Sequence, residues 1–265
     1  MGDTKGPHID ASEVEPTYFG LQAYWGATKH MGGLKVTKEL IELCQLRKGQ
    51  HVLDVGCGVG VTPCYLAKKI GCRAMGVDIS DMMIRRAKER AEREGITGLA
   101  EFRVADVQDL PFEEGSFDVV IGESVLVFAK DKERALRECV RVTRPGGCVG
   151  MTESTWLKRP TPEMVEYASR TWDIPAEILD REGWVRLMIR SGLSDVRGEE
   201  RSSRLTEYVE EIRRYGLADY VGMLYRAVEL YVKNPAFRQY VKGRHTSLPK
   251  DFLEHLGYGI YVGKK

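Results

Sequence analysis

The sequence predicts an α/β fold: a doubly wound, mostly parallel, Rossmann-like sheet of seven strands with helices on both faces. Between residues 35 and 155, short apolar segments alternate with amphipathic helical segments, and a glycine turn ends the first apolar segment. Strands that alternate with helices imply right-handed crossovers, which cover both faces of a parallel sheet. At 265 residues the chain is long enough for one sizeable core with an appendage.

Each predicted strand is a short apolar segment bounded by turn or helix signals. In chain order the strands are "HVLDVG", "RAMGVDI", "AEFRVAD", "FDVVIGES", "GCVGMTES", "SDVRGEERS" and the closing "GYGIYVGKK". Cap residues delimit the helices. Thr62, followed by proline, is predicted to be the N-cap of a helix that runs to about Ile70. Ser80 caps the next helix, which ends at Gly95.

The chain divides into four predicted segments. Residues 1–34 form an N-terminal cap segment that is aromatic and helical, and residues 35–204 form the α/β core. Residues 205–256 carry apolar stripes at helical spacing and precede the last strand, residues 257–265. We expect this helical insertion to lie over one end of the sheet as a substrate lid.

Composition narrows the function classes. The net charge is +1 with 30% charged residues, so nucleic acid is not an expected partner. The six cysteines include no CxxC pair and the first ten residues have no apolar run, which predicts a reduced, cytoplasmic protein. No segment has the length of apolar sequence that a transmembrane helix needs, and a peripheral contact with a membrane stays open.

An acid precedes the first glycine turn. Asp54 stands two residues before Gly56, which begins the series Gly56, Gly58 and Gly60. A dinucleotide site has the spacing GxGxxG, and a carboxylate at its mouth repels a pyrophosphate. The same carboxylate attracts the sulfonium and ammonium groups of S-adenosyl-L-methionine, which has no phosphate. The sequence therefore favours this cofactor over NAD.

Two further acids end the second and third strands. Asp78 can accept hydrogen bonds from both ribose hydroxyls, and Ile79 offers an apolar wall to a flat base. Asp106 can accept from an exocyclic adenine amine while the backbone N–H of Val107 donates to a ring nitrogen. Because parallel strands end at one edge of a sheet, the three acids are expected to face one site.

The motifs "VLDVGCGVG", "GVDIS", "VADVQDLPFEEGSFDVV" and "RVTRPGG" resemble, in order, those of class I S-adenosylmethionine-dependent methyltransferases. The resemblance covers roughly residues 35 to 155 and implies S-adenosyl-L-methionine as cofactor and S-adenosyl-L-homocysteine as product. It implies that the glycine loop holds the methionine end, Asp78 the ribose, and Asp106 with Val107 the adenine. The implied cofactor-binding residues are Asp54, Gly56, Cys57, Gly58, Gly60, Asp78, Ile79, Asp106, Val107, Gly122 and Glu123.

A second resemblance concerns the acceptor. The segment "YWGATKHMGGLKVTKELIELCQL" is similar to the entry region of phosphoethanolamine and related small-molecule methyltransferases, and the motif style resembles ubiquinone and menaquinone C-methyltransferases. The phosphoethanolamine enzymes carry a catalytic histidine shortly after the fourth strand, where this chain has Val127. We expect a small acceptor that is lipophilic or aromatic, such as a lipid head group or a quinol.

Candidate residues for chemistry follow from position alone. A general base is needed only if the acceptor is protonated, and the candidates are Glu123, His30 and His245. Tyr24 and His245 are expected to contact the substrate, and no metal is expected. The alternatives are an RNA or protein methyltransferase, a non-catalytic module that binds the cofactor, and a nicotinamide-dependent oxidoreductase.

Overall fold

The computed structural model describes residues 10–175, 177–202, 214–243 and 247–265. Its strands are β1 His51–Val55, β2 Arg73–Asp78, β3 Ala100–Val104, β4 Phe117–Glu123, β5 Thr143–Trp156, β6 Leu179–Asp180, β7 Ser194–Ser202 and β8 Leu256–Lys264. They form one sheet in the order β3-β2-β1-β4-β5-β8-β7, with β6 paired to β5. The predicted α/β fold is confirmed, and the two-residue strand β6 adds to the seven expected strands.

Helices cover both faces of this sheet. They are α1 Tyr18–Trp25, α2 Gly33–Leu43, α3 Val61–Tyr65, α4 Asp81–Glu94, α5 Lys132–Val142, α6 Pro162–Trp172, α7 Arg181–Arg190, α8 Leu217–Lys233, α9 Pro235–Gly243 and α10 Phe252–His255. Leu136 on α5 and Leu40 on α2 are fully buried in separate apolar clusters that include residues of the central strands. Burial on both faces explains why the central strands are mainly apolar.

Strand β1 lies at the point where the strand order reverses. It pairs in parallel with β2 on one side and with β4 on the other, whereas β8 runs antiparallel to β5 and β7. In open α/β sheets, ligands bind beyond the carboxyl ends of the strands at such a point. The loops that follow β1 and β4 are therefore the first place to look for a site.

The start of α3 differs from the sequence prediction. The helix begins at Val61, and its N-cap is Gly60 in the left-handed conformation with φ of 77°. Thr62 is thus inside the first turn, and its hydroxyl donates to Glu123 instead of capping the helix. A π-helical turn, Leu66–Ile70, continues α3 to the predicted end.

The helices α8, α9 and α10 lie between β7 and β8, within the segment expected to be a lid. Asp219 on α8 accepts hydrogen bonds from Arg90 and Arg93 on α4, at 3.2 and 2.7 Å. Arg226, also on α8, donates to the Trp25 carbonyl at 2.8 Å. Residues 203–213 and 244–246 fall outside the described residues. The segment boundaries and the lid role stay predictions.

Candidate active site

A cavity of about 790 Å³ opens at the carboxyl ends of β1, β2 and β4. Its lining brings together residues from the first two strand ends, the loop after β4, α6 and the region around α10. The sequence-predicted residues that line it are Asp54, Gly56, Cys57, Gly58, Asp78, Ile79, Asp106, Val107, Glu123 and His30. The expectation that the strand-end acids share one site therefore agrees with their positions, while their roles stay proposals.

The glycine loop has no room for side chains at two positions. A Cβ on Gly56 would lie 2.3 Å from Cγ2 of Val125, and one on Gly58 would lie 2.5 Å from Cγ2 of Thr28. Both residues have positive φ, 65° and 53°. Glycine is the residue that tolerates both constraints. The side chains of Val125 and Thr28 thus pack directly on this loop, and Gly56 and Gly58 belong to the cavity lining.

Asp54 is a buried carboxyl group at the mouth of this loop, with 3% of its surface exposed. Burial, then the nearby charge of Glu123, raises the pKa of Asp54 well above its ordinary value, and Arg214 acts in the opposite direction. A cation placed against Asp54 would favour its ionised form. The buried acid therefore suits a positively charged ligand.

Asp78 connects the end of β2 to the glycine loop. Its Oδ2 accepts from the Gly58 N–H at 3.0 Å, and its Oδ1 accepts from the Ser80 N–H at 2.9 Å. Burial raises the pKa of Asp78, and these two N–H groups act to lower it. Ile79 is adjacent and 72% exposed, so its side chain is available as a wall for a flat ring.

Gln108 holds the side chain of Asp106 in place. Its Oδ1 accepts from the Gln108 backbone N–H at 2.8 Å, and the Gln108 side-chain amide lies 3.2 and 3.1 Å from the two carboxylate oxygens. Val107 lies beside it in the cavity lining. These contacts orient the carboxylate at the third strand end.

Glu123, at the end of β4, contacts three polar side chains. Thr37 and Thr62 donate to its two oxygens, each at 2.7 Å, and Nε2 of His30 lies 3.5 Å from Oε1. Burial acts to raise the pKa of Glu123, but His30, Arg214 and the two hydroxyl groups outweigh it and lower the pKa. Glu123 is therefore an ionised, oriented carboxylate.

His30 is buried beside this carboxylate. Its Nδ1 lies 3.1 Å from the Met31 carbonyl, and because a carbonyl only accepts, Nδ1 carries a hydrogen in this contact. Its Nε2 lies 3.3 Å from Oγ1 of Thr37. The imidazole is thus directed toward Thr37 and Glu123.

Aromatic rings form the other side of the cavity. Phe128, in the loop after β4, makes edge-to-face contacts with Phe19 at 5.0 Å and with Trp172 at 5.3 Å between ring centroids. Tyr167 on α6 contacts Phe252 on α10 at 4.9 Å. All five rings line the cavity, and together they are called the aromatic wall. Phe128, Tyr167, Trp172 and Phe252 were missed by sequence reasoning, because only tertiary packing brings these elements together.

Three predicted site residues lie elsewhere, and one cannot be placed. Tyr24 is 1% exposed, and its hydroxyl donates to Oε2 of Glu229 at 2.8 Å in a separate cluster. Because Tyr24 does not line the cavity, the structure disagrees with the expectation that it contacts the substrate. Gly60 and Gly122 are absent from the cavity lining. A Cβ on either would come within about 2.8 Å of packed side chains, Ala87 and Met151, so packing alone accounts for glycine at both positions. His245 lies outside the described residues.

Two features are absent from the described part of the chain. Within it, no helix is both long and apolar enough to cross a bilayer. Residues 10–175, 177–202, 214–243 and 247–265 also contain no cluster of three or more His, Cys, Asp or Glu side chains suited to a metal ion.

The chain is similar to methyltransferases in sequence and in fold. A family model described as a methyltransferase domain matches residues 53–151. Phosphoethanolamine N-methyltransferase 1 of Arabidopsis thaliana is 33% identical over 181 residues, which are 68% of this chain and 36% of that protein. The chloroplastic tocopherol O-methyltransferase of the same plant is 30% identical over 184 residues, which are 64% of this chain and 51% of that protein.

Solved structures agree on the fold. Phosphoethanolamine N-methyltransferase 2 of Haemonchus contortus in complex with S-adenosyl-L-methionine superposes with a TM-score of 0.69 at 20% identity. The match covers 98% of this chain and 60% of that one. In the sequence comparison, the chain spans about a third to a half of the length of the two curated plant relatives.

Proposed function

Because this chain belongs to the class I S-adenosylmethionine-dependent methyltransferases, we propose that it transfers the methyl group of S-adenosyl-L-methionine to a small lipophilic or aromatic molecule. The matching family model and the relatives confirm the methyltransferase resemblance of the sequence motifs. S-adenosyl-L-methionine is the cofactor of this family. The lipophilic or aromatic acceptor is the finer part of the proposal. It is supported by the aromatic rings that line one side of the cavity.

The polar groups around the glycine loop fit the cofactor. We assign the methionine end to Asp54, Glu123 and the backbone of Gly56 to Gly58, the ribose to Asp78, and the adenine to Asp106 with Val107 and Ile79. Gly56 and Gly58 have positive φ and belong to the cavity lining, which supports contact between the loop backbone and the ligand. A buried acid whose pKa is raised supports a ligand that brings positive charge.

In methyl transfer, the main task of the protein is to align the acceptor with the methyl group. The cofactor supplies an electrophilic methyl group on a sulfonium. The side chains of this chain hold the acceptor in line with that group, and such orientation can lower a barrier by roughly 7 to 11 kcal/mol. The rings of Phe19, Phe128 and Trp172 are placed to fix a flat or apolar acceptor and to exclude water.

Glu123 and His30 act together in this proposal. A carboxylate with a lowered pKa is a weak base, so we propose that Glu123 stabilises positive charge by electrostatic attraction. His30 lies close to Glu123 and orients it, with Thr37 and Thr62. In this proposal a phenol or quinol acceptor loses its proton to solvent, and neither Glu123 nor His30 is its base.

The observation that carries the proposal is that Asp54, Asp78 and Asp106, at three neighbouring strand ends, line one cavity with an aromatic wall. Calorimetry with S-adenosyl-L-homocysteine and with NADH tests the cofactor, and only the first is expected to bind. Turnover with a labelled methyl donor across phenols, quinols and phosphoethanolamine tests the acceptor. Binding of NADH alone would contradict the whole assignment.

A second acceptor class is a phosphorylated amino alcohol. Similarity to a phosphoethanolamine methyltransferase favours it, and Lys29, Lys130 and Arg214 line the cavity as cations that could pair with a phosphate. Val127 weighs against this class, because it stands where the phosphoethanolamine enzymes carry a catalytic histidine. Val127 is also fully buried and absent from the cavity lining. Methylation of phosphoethanolamine in preference to a phenol or quinol would select this class.

A further inference from the structure

The loop after β4 shapes both sides of the cavity. Ser124 has a positive φ of 58°, and its N–H donates to the Thr152 carbonyl at 2.7 Å, so the chain turns sharply where the strand ends. A short 3₁₀ helix, Leu126–Phe128, follows. The side chain of Val125 covers Gly56 in the glycine loop, and Phe128 belongs to the aromatic wall. A small shift of this loop would therefore change both the cofactor side and the acceptor side.

One buried carboxylate holds this loop. Oε1 of Glu153 accepts from the backbone N–H groups of Val125 and Leu126 at 3.1 and 2.8 Å, and Oε2 accepts from that of Val127 at 3.2 Å. The first N–H groups of a helix have no partner within the helix. Here the Glu153 side chain on β5 is the acceptor for three consecutive N–H groups.

Glu153 is 1% exposed and does not line the cavity. Within the described ranges, its charge interacts with those of Lys132 and Cys139 on α5 and of Tyr261 on β8. The amino group of Lys132 lies 3.2 Å from the Ala129 carbonyl and 3.4 Å from Oε2 of Glu177. Among the described residues, the three backbone N–H groups are thus the hydrogen-bond donors to the Glu153 carboxylate.

We propose that Glu153 is a positioning residue, whose carboxylate fixes residues 125–127 so that Val125 packs on Gly56 and Phe128 faces the acceptor. The proposal rests on the proposed function, because it assigns a purpose to the shape of that site. Burial raises the pKa of Glu153 to about 7, while the three N–H groups act to lower it. The loop anchor consequently gains and loses its charge near neutral pH.

Backbone amide resonances test this directly in the full chain. In the wild type, the ¹⁵N and ¹H shifts of Val125, Leu126 and Val127 should move together between about pH 5.5 and about pH 8.5, with a midpoint near the pKa of Glu153. Glu153→Gln replaces an accepting oxygen with an amide that donates, and should abolish this transition. The matched control, Glu101→Gln on the exposed side of β3, should retain it. A wild-type chain without the transition, or a Glu153→Gln chain that keeps it, overturns the proposal.

Ligand binding gives the second readout. At about pH 8, Glu153→Gln should weaken the affinity for S-adenosyl-L-homocysteine about tenfold, and Glu101→Gln should leave it unchanged. Equal affinity in all three proteins contradicts a positioning role. If the wild type itself does not bind this ligand, the proposed function fails, whereas the amide transition stands or falls independently. The wild-type titration needs no variant, so a Glu153→Gln chain that fails to fold leaves the test decisive.

Discussion

The hydroxyl of Thr62 donates to Oε2 of Glu123 at 2.7 Å, which joins the start of α3 to the end of β4. Thr37 on α2 makes the equivalent bond to Oε1. Against burial, the charges of His30 and Arg214 and then these two hydroxyl groups lower the pKa of Glu123 and keep it ionised. The charge of Glu123 consequently depends on side chains from α2 and α3, the two helices that donate to it.

Removing one of these hydroxyl groups should weaken cofactor binding. Thr62→Val keeps the side-chain shape but leaves Oε2 of Glu123 without this donor, so we expect the pKa of Glu123 to rise and the affinity for S-adenosyl-L-methionine to fall about tenfold. The expected loss of folding stability is about 1 to 3 kcal/mol, measured by urea unfolding. Thr97→Val, at an exposed position in the turn before β3, is the control. Unchanged binding in Thr62→Val would show that the bond is dispensable.

Cofactor binding should release a proton. The raised pKa of Asp54 favours its neutral form, and a sulfonium or ammonium bound against it favours the carboxylate. The affinity for S-adenosyl-L-methionine should therefore increase with pH over the interval below the raised pKa of Asp54. Calorimetry in buffers with different ionisation enthalpies measures the release, and Asp54→Asn should abolish it and weaken binding at least about tenfold. A binding enthalpy that is identical in every buffer would contradict this role of Asp54.

The buried Glu153 should make stability depend on pH in a defined direction. Its pKa is raised from 4.5 to about 7 in the folded chain, so the folded state holds a proton that the unfolded state has lost in this interval. This contribution to stability is complete below about pH 4.5 and is lost as the pH rises through about 7. The wild type should therefore lose up to about 3 kcal/mol relative to Glu153→Gln between these limits.

Urea unfolding at about pH 5 and about pH 8 measures that difference, with Glu101→Gln as the reference for an exposed glutamate. A gap between wild type and Glu153→Gln that does not change with pH would mean that Glu153 does not titrate in this interval. Together with the amide titration, the result separates the cost of burying this carboxylate from its effect on the loop.

Local sequence patterns predicted the sheet and the strand-end acids, because each depends on residues that are near one another in the chain. Long-range contacts decided the rest. Tyr24 was expected to face the substrate, but its hydroxyl reaches Glu229 on a helix 205 positions away. Thr62 has the local pattern of an N-cap, and Glu123, 61 positions away, is its actual partner. Glu153 appears in the sequence as an ordinary strand residue, since no local signal reveals the three amides that it holds.

The aromatic wall should determine acceptor use without determining cofactor binding. Phe128→Ala removes the ring that contacts both Phe19 and Trp172 but leaves the backbone bonds of the loop to Glu153. Because a large buried ring contributes much of the contact area of an apolar ligand, kcat/KM for a phenolic or quinol acceptor should fall at least tenfold. The affinity for S-adenosyl-L-homocysteine should stay within about threefold of wild type, since Phe128 lies on the acceptor side. Phe112→Ala, whose ring packs on Phe117 outside the cavity lining, is the matched truncation. If both variants lose activity equally, the loss reflects folding, and the aromatic wall has no special role in holding the acceptor.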